Sequence, residues 1–214
     1  MRLLGIRLSA PFFVFDFSSS NRELDNVDIS NPEEFGGYIQ RKLKENSAEF
    51  GIGKYNENRT IYSHSRLFEG EVPRTVHLGI DFWVKAGTKV FCLIDGVVHS
   101  LRNNEGEGDY GPTIIIEHNV GGKRFFTLYG HLSVGSLGMI KQGQAVNAGD
   151  EIGRVGNFPE NGNWPSHLHF QVINDMLGNE GDFPGVASIE NRQRMLEICP
   201  DPNLMLCLNL PTNQ

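Results

Sequence analysis

In VHLGIDFWV (residues 76–84) apolar and other side chains alternate along the chain. Residues two apart in a strand share a face, so Val76, Leu78, Ile80, Phe82 and Val84 fall on one side and His77, Gly79, Asp81 and Trp83 on the other. The pattern recurs twice. In RFFTLYGHL (residues 124–132), Phe126, Leu128 and Leu132 point one way and Thr127, Tyr129 and His131 the other. In HLHFQVI (residues 167–173), Leu168, Phe170 and Val172 read as core, leaving His167, His169 and Gln171 opposite. Three strands thus each direct imidazole away from the core, which accounts for four of the seven histidines together with one carboxylate.

That face suits zinc. Neutral imidazole and carboxylate are good zinc ligands, and three protein ligands leave a fourth position for a water whose pKa falls to about 7. Two histidines and one aspartate leave such a site with a charge of about +1, able to polarise a carbonyl. The two histidines left over can take a proton from the water and steady an oxyanion. No H-E-x-x-H occurs, so no glutamate base of that kind is at hand. Either H-x-x-x-D or H-x-H alone can be mere solvated strand polarity; three motifs on matching faces argue against coincidence. His64, His99 and His118 lack such company and read as structural or surface residues. Tyr129 reads as packing at the rim of the site, and Asp95 as a turn residue.

Outward from these strands, residues 74–175 are turn-rich and β-branched. KVFCLIDGVVHSL (residues 89–101) carries a hairpin signal with Asp95-Gly96 as its turn, PTIIIEH is a further strand, and GQAVNAGDEIGRVG reads as two short strands about a turn. Upstream, the run Phe12 to Phe17 reads as a buried strand in preference to part of a cleaved signal peptide, because Arg7 interrupts the apolar stretch before it. Asn31 caps a helix with Pro32 in its first turn and Glu33 and Glu34 at its positive end. Phe35, Tyr38, Ile39 and Leu43 line one face of that helix, and Gly51 is its expected stop. A short helix over SIENRQRMLEI and the tail CPDPNLMLCLNLPTNQ close the chain. The expected organisation is a mainly β catalytic unit over residues 71–178, an N-terminal strand-and-helix extension over 1–70, and a C-terminal helix and tail over 179–214.

The bulk numbers set the bounds. At 214 residues with 39% hydrophobic and 21% charged, the chain has the composition of an ordinary globular protein. A net charge of −7 without a basic stripe speaks against nucleic acid as partner, and no apolar run is long enough to span a bilayer. Three cysteines without a C-x-x-C pair speak against a disulfide framework or a cysteine zinc site, and Cys92 reads as a small core residue.

HLGID, YGHL and HLH, in that order, resemble the signature of lysostaphin-type zinc endopeptidases, metallopeptidase family twenty-three, which includes LytM-like enzymes. The resemblance covers about residues 74–175 and extends to AGTKVFCLIDGVV, GDYGPTIIIEH and GQAVNAGDEIGRVG. It implies a twisted antiparallel sheet, a barrel-sandwich-like core with an open groove, and one zinc ion per chain held by His77, Asp81 and His169. It also implies that His131 and His167 are the catalytic pair and that the substrate is a peptide, by default a peptidoglycan cross-link. NFPENGNWPS (residues 157–166) departs from the Gly/Ser/Thr-rich run that commonly precedes H-x-H in the family; Trp164 and Pro165 are expected to alter the groove wall. WPSHLHFQ, GDFPGVA and the CPDPN tail more loosely resemble the lysostaphin-type domain of large proteins that also carry kinase-like and class III aminotransferase domains. That kinship points to a second expectation, a zinc amidase or peptidase acting inside the cell on a substrate unrelated to the wall.

A third class, a lipoyl-type or phosphohistidine carrier built from glycine-punctuated hairpins, is weaker. The hairpin tip carries Asp95-Gly96 where a lipoyl domain needs lysine, and a phosphohistidine carrier has no use for Asp81. Residues 1–70 are long enough to form a lid over the groove, and the lack of a clear export signal favours the cytoplasm.

Overall fold

The computed structural model describes residues 3–64, 68 and 72–210, with backbone alone at Ser63 and His64. From the N-terminus the chain runs through strand β1 (Phe12–Phe15), helix α1 (Pro32–Glu45), and strands β2 (Phe50–Gly53), β3 (Arg74–His77) and β4 (Ile80–Trp83). There follow β5 (Lys89–Phe91), β6 (Gly96–Asn104), β7 (Gly111–Val120), β8 (Lys123–Gly130), β9 (Ala145–Val146) and β10 (Glu151–Arg154). Strands β11 (His167–Ile173) and β12 (Val186–Ser188) and the short helices α2 (Arg192–Ile198) and α3 (Asn203–Leu206) complete it. Eight strands form one open sheet in the order β1-β2-β4-β11-β8-β7-β6-β9; β5 with β10 and β3 with β12 make two small sheets. The fold is mostly β, as expected. The large sheet is antiparallel except at one edge, where β1 and β2 run parallel.

The segment expected as an extension is continuous with this sheet. β2 pairs with β4, Gly51 opposite Trp83 and Gly53 opposite Asp81. Helix α1 begins as its sequence dictates: the Asn31 side chain accepts from the amides of Glu33 and Glu34, and Pro32 occupies the first turn. Its apolar stripe, Phe35, Tyr38, Ile39 and Leu43, is buried against Phe15, Phe17 and Trp83. Gly51 does not stop this helix. The helix ends at Glu45, Ser47 takes a left-handed backbone with φ of 51°, and Gly51 lies within β2.

Three strand assignments are corrected by register. The run 76–84 is not one strand but two, since β3 joins the β12 sheet and β4 the large one, with Leu78 and Gly79 between. Val76 and Leu78 therefore pack with Ile115, Phe126 and Leu128, whereas Ile80, Phe82 and Val84 pack with Leu168, Phe170 and Val172 on another face. Gly79 permits the crossing. A Cβ there would lie 2.6 Å from His169 Cε1 and 2.7 Å from the Phe170 carbonyl oxygen.

The expected hairpin at Asp95-Gly96 is not formed either. β5 pairs with β10 in a small sheet and β6 with β7 and β9 in the large one, so the chain changes sheets between them. Cys92 exchanges backbone bonds with Gly149 and Asp150, and the Asp95 carboxylate takes the Ala148 amide. Asp95 remains a turn residue, but of a crossover.

In β8 the phase is the reverse of that expected. Tyr129 stands opposite Phe170 and is fully buried with it, whereas Leu128 stands opposite Gln171 on the site face. Tyr129 thus packs in the core behind the sheet and takes no part in the rim. Among the described residues no helix is long and apolar enough to cross a membrane. The three cysteines are unpaired, Cys92 buried as expected.

Candidate metal centre

β4 and β11 place two of the expected ligands by register alone. His169 lies directly opposite Asp81, and His167 opposite Trp83, on the face away from Phe82 and Phe170. His77, the last residue of β3, meets them from the small sheet. His77 Nε2, Asp81 Oδ1 and His169 Nδ1 form a nearly equilateral triangle with edges of 3.0, 3.0 and 3.1 Å. All three residues are buried, and among the described residues they form a cluster of donor atoms able to hold a metal ion.

The other atom of each ligand is already engaged. His77 Nδ1 donates to the Lys54 carbonyl (2.8 Å), and His169 Nε2 donates to Gln171 Oε1 (2.9 Å). Gln171 is held in that orientation because its amide nitrogen donates to the Pro184 carbonyl and the Cys199 sulfur. Asp81 Oδ2 accepts from Arg59 Nη1 at 2.6 Å. With the protons on those outer nitrogens, three lone pairs converge at about 3 Å, an arrangement that repels itself unless a cation sits among them. Zinc bonds of about 2.0–2.1 Å in tetrahedral geometry give ligand–ligand separations slightly above 3 Å, so the triangle fits that ion.

Electrostatics agree with a neutral His77 and an ionised Asp81. Burial, with the Arg59 guanidinium adding to it, pushes the His77 imidazole down to about 3. Burial works to raise the Asp81 carboxyl, yet the His77 ring and the permanent charge of Arg59 hold it well below the carboxylate range. Metal binding demands neutral imidazole and ionised carboxylate, and the site holds both at neutral pH.

His131 and His167 stand beside the triangle with ring centroids 4.2 Å apart. His167 is carried by β11 and stacks on Trp83, 4.2 Å between centroids and 21° between planes. His131 reaches the site by a route that alternation does not describe. β8 ends at Gly130, opposite His169, so a continuing strand would turn residue 131 towards the Tyr129 side. Instead His131 adopts φ of 60°, uncommon for a residue bearing Cβ, and its ring comes to lie against His167. Each Nδ1 is tied to the loop before β11, His131 to the Asn161 carbonyl (2.9 Å) and His167 to the Pro165 carbonyl (2.8 Å). That leaves each Nε2 as the nitrogen available to the cavity that both rings line. Burial holds both neutral, His131 well below the usual histidine range and His167 at about 4.

The five residues expected at the site are therefore gathered in one place. The cavity above them measures about 220 Å³ and is lined also by Arg59, Tyr62, Phe68, Tyr110 and Trp164. Of the two residues expected to alter the wall, Trp164 lines the cavity beside His131 and His167, 6.4 and 6.3 Å between ring centroids, whereas Pro165 does not line it. His99 and His118 lie elsewhere, His99 against Phe126 and Ser100 and His118 bonded to Thr127 and the Asp95 carbonyl. The side chain of His64 lies outside the described residues. Arg59, the Lys54 carbonyl and the two loop carbonyls escaped sequence analysis, since only Arg59 carries a chemical signal and it stands 22 positions from its partner. Gln171, placed on the correct face by alternation, does contact a ligand.

Residues 75–180 match the family model described as Peptidase family M23. Over 97 residues the chain is 37% identical to peptidoglycan DD-endopeptidase ShyA of Vibrio cholerae, a match covering 45% of this chain and 20% of that protein. Over 129 residues it is 30% identical to an uncharacterized metalloprotease of Haemophilus influenzae, covering 57% and 25%. The chain thus spans a fifth to a quarter of the length of these curated relatives. A zinc-containing peptidase from Vibrio cholerae, known from its crystal structure, is 30% identical over 46% of this chain and 27% of its own, with a TM-score of 0.36.

Proposed function

Because residues 75–180 belong to peptidase family M23, we propose that this chain is a zinc-dependent endopeptidase hydrolysing peptide bonds, with peptidoglycan cross-links as its substrate. The observation that carries the metal is the convergence of His77, Asp81 and His169 lone pairs at about 3 Å. One ion per chain would be held by these three. Bound there, zinc supplies Lewis acidity, polarising the scissile carbonyl and acidifying a water.

The remaining work falls to the chain. His131 and His167, neutral at pH 7, each present Nε2 on the same side of the triangle. One accepts the proton of the attacking water at its Nε2 and returns it to the leaving amine; the other accepts the water's second hydrogen in a hydrogen bond and so orients the attacking oxygen. The carbonyls of Asn161 and Pro165 fix which nitrogen faces the substrate. Trp164, Tyr62 and Phe68 line the cavity and present apolar rings beside the two histidines. Tyr62 and Phe68 come from the N-terminal segment, which supports a cover over the groove by residues of 1–70.

Peptidoglycan is favoured as substrate by the name of the Vibrio cholerae endopeptidase, 37% identical over 97 residues. The alternative is a non-wall amide cleaved by the same centre; what supports it is Trp164, a bulky ring in the cavity lining beside the two histidines. Elemental analysis of the protein and of an Asp81→Asn, His169→Ala variant tests the metal; about one zinc per chain, lost in the variant, is expected. Zinc absent from both after reconstitution would sink the hydrolase and return a carrier module to consideration. Digestion of purified muropeptides alongside unrelated oligopeptides then decides the substrate: cleavage of the second set alone would replace the wall by the non-wall reading.

A further inference from the structure

The metal ligand Asp81 has an oxygen to spare, and the chain spends unusual resources on it. Arg59, between β2 and β3, is 2% exposed and donates from Nη1 to Asp81 Oδ2 (2.6 Å) and to the Tyr62 hydroxyl (2.9 Å). Its Nε donates to Glu57 Oε2 (2.9 Å) and its Nη2 to the Lys54 carbonyl (3.2 Å). Four of the guanidinium's five donors are thus occupied by protein, which leaves it little capacity to act on a substrate.

Glu57 in turn receives Lys54 Nζ at 3.0 Å and the Phe17 amide at 3.2 Å. Charges therefore alternate, Lys54, Glu57, Arg59, Asp81, from a partly exposed ammonium to the ligand. The backbone makes room for the chain of charges: a Cβ on Gly53 would lie 2.7 Å from Arg59 Nη2 and 2.9 Å from Asp81 Oδ2. Lys54, through its carbonyl, also holds His77. Every one of these supports precedes the residues that match the family model, 75–180.

Resting on the zinc reading above, we propose that Arg59 is a positioning residue of the metal centre: by occupying Asp81 Oδ2 it confines the carboxylate to one-oxygen coordination and so keeps a coordination position open for water. A planar guanidinium bridging two carboxylates is suited to this because it fixes the rotation of the Asp81 plane, which a lysine, a single point charge, does not. A consequence is that residues 53–62 are part of the metal centre, and a chain trimmed to the matched residues would lose affinity for the ion.

The test uses the full chain as wild type, Arg59→Gln and the double variant Glu57→Gln, Arg59→Gln, which leaves no unpaired carboxylate at position 57. Zinc affinity is read by competition with a chelator, coordination by the visible absorption of the cobalt-substituted protein, and folding of the metal-free forms by circular dichroism. Zinc affinity is expected to fall about 10–100-fold, as for other residues that orient metal ligands. The cobalt absorption should weaken as the coordination number rises. A folded variant with unchanged affinity and unchanged cobalt spectrum overturns the proposal, and so does failure of both variants to fold, which would assign Arg59 to the fold alone. Zinc bound by wild type and equally by a folded variant removes only this inference; no zinc in the wild type removes the metal reading with it.

Discussion

The ligand triangle and the His131–His167 pair stand side by side, each side chain held by one outer bond, and differ in where the inner atoms point and in what holds them. In the triangle each ligand has one atom facing inwards and the other bound to protein: His77 to the Lys54 carbonyl, His169 to Gln171, Asp81 to Arg59. In the pair, one nitrogen of each ring is bound to a loop carbonyl and the other is left to the cavity. The difference follows from what each must do. A metal site gains from ligands that cannot rotate, whereas a proton-transfer pair needs a lone pair that meets substrate. The supports also differ in origin. Strands and the segment 53–62 hold the triangle; the loop 157–166 holds the pair.

The sharpest way to break this contrast is to remove a ligand. His169→Ala should abolish metal binding and lower kcat/KM by more than the about 10³-fold that loss of a single oxyanion donor costs, measured by elemental analysis and muropeptide turnover. His131→Ala and His167→Ala should behave differently, keeping one metal per chain while kcat falls by about 10²–10³-fold. Metal lost in either variant would place that histidine among the ligands and dissolve the distinction. A smaller effect is expected at a support of the triangle. Gln171→Leu, close in size but unable to accept from His169, should weaken metal affinity about 10–100-fold while kcat at saturating metal changes little.

The last prediction concerns the metal-free protein. Burial lowers His167 to about 4 and His77 to about 3, from 6.5. The unfolded chain therefore binds more protons than the folded one below pH 6.5, and the stability these neutral rings contribute is complete above that pH. It is lost as pH falls towards 4 for His167 and towards 3 for His77. The His167 part is on the order of 3 kcal/mol. Urea midpoints of the metal-free protein between pH 7 and 4 should fall, and His167→Gln should flatten the slope; a midpoint indifferent to pH would mean the rings are solvated and not held neutral.

Helix α1 shows what local sequence can say. Its cap, its proline and its apolar stripe lie within one stretch of chain, so the observed helix agrees with the expected one at its start and on its buried face. β11 is equally readable, because alternation within HLHFQVI needs no partner to be interpreted. β8 shows the limit. Both of its faces are apolar, Tyr129 on one and Leu128 and Phe126 on the other, so hydrophobicity alone carries no phase, and the expected orientation came out reversed. His131 was nonetheless placed at the site, for a reason that differs from the one expected: its left-handed backbone, not strand alternation, brings it round.

By itself the sequence determined the donors and much of their placement. Two imidazoles and a carboxylate at H-x-x-x-D and H-x-H are chemistry written in residue type and spacing, and short-range periodicity set the faces of β4 and β11. The tertiary structure decided the rest: which atom of each ligand faces inwards, how His131 turns, and that Arg59 and the Lys54 carbonyl complete the centre from before the matched residues. The physical reason is range. Periodicity is a property of neighbours in the chain, whereas a guanidinium meeting a carboxylate, or a carbonyl choosing a histidine tautomer, depends on strand register and close approach between segments that no local pattern encodes.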